Sequence, residues 1–121
     1  MATLKETRKE KRLRLLDKLA LLENLPGNWD DKGASRISPR ATGSYRGFLD
    51  AAPILKYDLI PTPTHEGGIK VDFTATYYNK KRDISFEFLQ DGRMALGVDG
   101  ATQTYPRFDK KRVEELFLVL Y

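Results

Sequence analysis

Apolar residues recur along the first part of the chain at helical spacing. Leu13, Leu16, Leu19, Ala20 and Leu22 make one stripe, and Thr3-Leu4-Lys5-Glu6 carries the capping-box pattern, so the spacing predicts a helix over about residues 4–24. The stripe starts only near residue 12. Residues 1–12 are therefore expected to project as a basic helical extension, with Glu10 spaced to pair with Arg14. Ser38-Pro39 reads as an N-cap followed by proline in the first turn. Ala41, Tyr45, Phe48, Leu49 and Ala52 then repeat at 4, 7, 8 and 11 residues, a second amphipathic helix stopped by Pro53.

After Pro53 the period changes to two. Leu55, Tyr57 and Leu59 alternate with Lys56 and Asp58. Beyond PTPTHEGG, Ile69, Val71, Phe73, Ala75 and Tyr77 alternate with polar residues, as do Ile84, Phe86 and Phe88. Asp91-Gly92 is a hairpin turn signal leading to Met94, Leu96 and Val98, and Asp99-Gly100 turns the chain again into a short strand near Thr102–Tyr105. Strands polar on one face belong to an antiparallel sheet covered on one side. Asp109 caps a last helix with Val113, Leu116, Phe117 and Leu120 on its apolar face. The expected fold is a single α+β domain over residues 1–121: two N-terminal helices, a four- to five-stranded antiparallel meander covered on one face, and a C-terminal helix.

With 121 residues the chain is long enough for one core and needs no disulfide or metal staple. It has no cysteine, which removes thiolate ligands and cysteine nucleophiles and suits a reducing cytosol. The N-terminus is basic but lacks a secretory apolar core, and LRLLDKLALL is broken by charge. Neither a signal peptide nor a membrane span is expected, and the location read from this is cytoplasmic. The net charge of +4 sits in residues 1–18; the remainder holds fourteen charges of each sign.

The only tryptophan, Trp29, stands in the turn-rich stretch LPGNWDDKGASRISP. Asn28, Asp30 and Gly33 match three positions of a calcium loop, but Lys32 stands where an oxygen ligand belongs and Pro39 where the bidentate glutamate belongs, so no metal is expected. The structural alternative has Asn28, Asp30 and Asp31 bonding the nearby backbone while Trp29 buries its ring between the helices and the sheet edge, its N–H finding a partner. The other open reading makes Trp29 a partly exposed binding anchor.

NWDDKGA, ISP opening a helix, and PTP-TH-EGGIKVDF resemble a family of small, largely uncharacterised bacterial and phage-borne proteins with the pattern N-W-D-G-x-G-A, I-S-P, P-T-P-x-G-G-I. The similarity covers about residues 25–99. It departs at Asp31, where glycine is usual, and at the additional Thr64-His65. The resemblance implies the fold and, through the toxin–antitoxin and phage-defence setting in which small proteins of this kind occur, a protein partner.

Candidate chemistry is sparse. His65-Glu66 joins an imidazole and a carboxylate, but neighbours in a strand point to opposite faces. Asp72 and Glu87 are expected on the polar face of adjacent strands, with Lys70 nearby, as an ordinary solvated surface. One histidine and no G-x-S-x-G leave out the usual nucleophile and zinc constellations, so neither an enzyme nor a cofactor is expected. Two basic features remain: Lys5, Arg8, Lys9 and Arg12 on one helix face, and Lys80-Lys81-Arg82 at a hairpin tip beside Tyr77, Tyr78 and Asn79. The leading expectation is a protein-binding module using Arg8, Arg12, Trp29, Asp30 and Tyr78, with homo-oligomerisation through a sheet edge or helix as a further option. The alternative is a nucleic-acid-binding protein using Lys5, Arg8, Lys9, Arg12, Lys80, Lys81 and Arg82.

Overall fold

The computed structural model describes residues 6–120. The elements are α1 (Arg8–Glu23), α2 (Pro39–Ala51), β1 (Ile60–Pro63), β2 (Ile69–Tyr77), β3 (Lys80–Phe88), β4 (Met94–Val98), β5 (Ala101–Tyr105) and α3 (Lys110–Val119). The five strands form one antiparallel sheet in the order of the chain. The architecture is the expected α+β meander.

α2 lies across β2 and β3, with α1 and α3 beside it. Its start is as read: the Ser38 side chain accepts from the Ala41 amide, and Pro39 occupies the first turn. Ala41, Tyr45, Phe48, Leu49 and Ala52 are all buried, against Ile69, Val71, Phe73, Phe86 and Phe88 from the sheet. Phe48 is the middle of this aromatic cluster, with ring centroids 4.9 Å from Phe86, 5.4 Å from Phe88 and 6.1 Å from Phe117.

α1 starts later than the pattern suggests. Thr7 is the N-cap and Glu10 completes a capping box one turn beyond Thr3, which lies outside the described residues. Glu10 is engaged in that box, so Arg14 pairs with Glu6 at 3.0 Å instead of with Glu10. The buried row is Lys11, Leu15 and Leu19, while Leu13 and Ala20 face solvent. Six leucines between residues 13 and 22 permit more than one stripe, and the row chosen includes a lysine because Lys11 Nζ donates to the Tyr57 carbonyl at 2.7 Å.

The expected projecting extension is tied down from Arg8 onward. The Arg8 guanidinium donates to the carbonyls of Ala52 at 3.0 Å, Leu49 at 3.1 Å and Asp50 at 3.4 Å. These are carbonyls at the C-terminal end of α2, whose own last turn has no basic residue. A cation there satisfies orphan carbonyls and opposes the negative end of the helix dipole. Arg12 adds an ion pair to Asp50 at 2.9 Å.

Residues 54–57 form a turn rather than the strand that Leu55, Tyr57 and Leu59 suggest; Leu55 is exposed, and Ile54, Tyr57 and Leu59 are buried. The first strand comes later, in the proline-rich IPTP. In its register Ile60 faces Asp72 and Thr62 faces Lys70. By the alternation of an antiparallel ladder, Pro61 and Pro63 fall where an N–H would point away from the sheet, the one setting in which a strand tolerates proline without losing a ladder bond.

Candidate interaction site

The Trp29 loop is a tied structure. Asn28 and Asp31 take left-handed φ values of 63° and 58°, which short polar side chains tolerate. The Asn28 side chain accepts from the Gly33 amide at 2.6 Å. Asp30 Oδ1 accepts from the amides of Lys32 at 2.9 Å and Ala34 at 3.1 Å, and Oδ2 meets His65 Nδ1 at 2.9 Å. The carboxylate partner of the only histidine is thus Asp30, 35 residues away, rather than the adjacent Glu66. The His65 hydrogen bond, helped by the two amides, holds the Asp30 carboxyl down at about 2. The Ser35 amide donates to the His65 carbonyl at 2.8 Å and the Ser38 amide to the Gly67 carbonyl at 3.0 Å, closing the two loops together.

Trp29 is half-buried and does not join the main hydrophobic cluster. Its indole N–H is buried and meets no acceptor among the described residues, contrary to the expected partner. Neither open reading is complete: the ring is not the core plug, and it is not fully presented.

Tyr78 is different. It occupies a two-residue turn with Asn79, at φ 50° and 62°, and is 76% exposed. Its ring touches Tyr77 edge-on at 4.3 Å. Lys80 and Lys81 are exposed, but they open β3 rather than form the tip, which is Tyr78-Asn79. Arg82 is half-buried and pairs with Asp99 at 2.8 Å.

The sites named from the sequence therefore separate. The Trp29–Asp30 loop is fastened just before β2 and Tyr78 follows its end, so the nine residues of β2, about 30 Å of strand, separate them. Arg8 and Arg12 turn to α2, leaving Lys9 exposed on that face, and Lys5 lies outside the described residues. On the open sheet face Asp72 stands opposite Ser85 and Glu87 opposite Lys70, whose Nζ is 3.8 Å from Asp72. This is the solvated surface expected there. Sequence reasoning missed Asp58 and Asp83, which with Asp72, Phe73 and Ile84 line an open depression of about 410 Å³. Among the described residues no group of three or more His, Cys, Asp or Glu is arranged to hold a metal ion, and no helix is long and apolar enough to cross a membrane.

Compared with protein-family models, curated proteins and solved structures, the chain matches none.

Proposed function

We propose that the protein is a non-enzymatic protein-binding module, antitoxin-like, immunity or anti-defence in type, that acts in the cytoplasm by occupying a surface of a partner protein. The observation that carries this reading is Tyr78. A two-residue hairpin turn with left-handed residues favours Asn, Asp or Gly. A large aromatic residue there opposes the local backbone preference and gains little burial, with 76% of its surface exposed. Departures of this kind concentrate at functional positions. A protruding tyrosine is also a suitable binding anchor, because it brings a large contact area with few rotamers to fix. The family resemblance read from NWDDKGA and PTP-TH-EGGI belongs to the same proposal.

A nucleic-acid reading is favoured by the exposed Lys80 and Lys81 beside Tyr77 and Tyr78, a cationic stacking tip. It loses ground because Arg8, Arg12 and Arg82 are engaged within the fold. A tagged pull-down from the native host, split into nuclease-treated and untreated halves, separates the two. The expected result is a stoichiometric protein that survives nuclease. Nucleic acid in the untreated half alone, with no stoichiometric protein, would replace the first reading by the second.

A further inference from the structure

The two edges of the sheet are unlike. On β1, prolines 61 and 63 stand where open N–H groups would be, so that edge cannot accept a further strand in regular pairing. β5 carries no such protection. Its sequence, ATQTY, has no proline and no charge. The Asp99-Gly100 turn, with φ of 50° and 88°, closes on the Val98–Ala101 pair. In an antiparallel ladder Ala101, Gln103 and Tyr105 then bond β4, and Thr102 and Thr104 direct both N–H and C=O outward. Thr102 and Thr104 are themselves exposed.

We propose that this edge pairs with the β5 edge of a second copy, antiparallel, about a two-fold axis at Gln103, giving a continuous ten-stranded sheet. Of the registers that bring outward-facing residues together, this one overlaps all five residues of the strand. Thr102 of each copy exchanges two backbone hydrogen bonds with Thr104 of the other. Their side chains meet as Thr–Thr pairs on the open face, a favourable cross-strand combination. On the opposite face Gln103 meets its own symmetry mate and Ala101 lies beside Tyr105, so no like charges oppose one another along the strand. Just past its ends, the exposed Arg107 of one copy comes beside the Asp99 turn of the other, whose carboxylate already pairs with Arg82, so no like charges meet there either. An interface of one strand pair is small, and the dimer is accordingly a weak one. The inference is independent of the role given to Tyr78.

Sedimentation velocity of the full chain from ~10 µM to ~1 mM tests it, in the range expected for a small transient interface. The wild type is expected to shift toward twice its mass as concentration rises. Thr104→Pro removes only an outward N–H and should raise the dimer Kd at least tenfold. The pair Thr102→Lys with Thr104→Lys sets lysines opposite each other and should do the same, whereas Thr102→Lys with Thr104→Glu matches the signs and should restore dimerisation. Circular dichroism on each variant shows that the fold is kept. A wild type that stays monomeric throughout, or a Lys/Lys variant that dimerises like the wild type, would overturn the proposal.

Discussion

Replacing Phe48 with alanine is expected to destabilise the protein by about 3–5 kcal/mol, the range for removing a fully buried ring. The residue is 0% exposed, and its ring meets both helical and sheet aromatics: Phe86, Phe88, Phe117 and Tyr45. Those neighbours belong to three different elements and the backbone of the sheet holds two of them in place, so the cavity cannot close by one side chain moving. Total stability for a domain of this kind is about 5–15 kcal/mol, so the substitution removes a large share of it. Phe48→Leu keeps most of the volume and should cost about half as much or less. Urea unfolding measures both. A loss below about 1 kcal/mol for the alanine variant would mean that α2 is not the centre of the core.

The second large effect is at Gly67. Its φ is 91°, and a Cβ built there lies 2.6 Å from the Arg36 carbonyl oxygen and 3.3 Å from Ser35 Cβ. The obstacle at 2.6 Å is backbone, so it cannot rotate away. Gly67→Ala has to push apart the two loops that are joined by Ser35 N to His65 O, Ser38 N to Gly67 O and the Asp30–His65 pair. The expected loss is about 2–4 kcal/mol, with a red shift in the emission of Trp29, the only tryptophan. Gly33→Ala is the internal control. Its φ of 81° is also left-handed, but nothing lies within 4 Å of the added Cβ, so only the conformational cost of about 1 kcal/mol applies. Equal losses at the two positions would show that loop apposition contributes little.

What the sequence made legible depended on how many independent signals coincided. α2 was readable in full because cap, proline and period agree at Ser38, Pro39 and the Ala41–Ala52 row. The left-handed positions of the other turns, Gly92 after Asp91 and both residues of Asp99-Gly100, carry residues suited to that φ. Tyr78-Asn79 makes the same kind of turn as Asp99-Gly100 but with tyrosine at its first position, so the sequence signal points two residues late, to Lys80–Arg82. β1 was hidden because proline argues against a strand unless its register at an edge is known. In α1 the excess of leucine left the phase open, and Lys11 entered the buried row through a bond to Tyr57, 46 residues away. Arg8 and His65 illustrate the general limit. Their partners lie 41–44 and 35 residues distant, and no local pattern reports such a bond. In the sequence such residues look available for a partner, while the fold uses them inward.

Tyr78→Asn separates binding from folding. Asparagine suits the left-handed turn better than tyrosine, so the variant should be as stable as the wild type or more so by up to about 1 kcal/mol. If Tyr78 is the anchor, the loss of its ring should weaken the captured partner's binding by 2 kcal/mol or more, about 30-fold. The decisive measurement is therefore a titration of wild type and Tyr78→Asn against the nuclease-resistant partner from the pull-down, with melting curves on both. The expected result is an unchanged or higher melting temperature together with that loss of affinity. Equal affinity of the two proteins for that partner would contradict it.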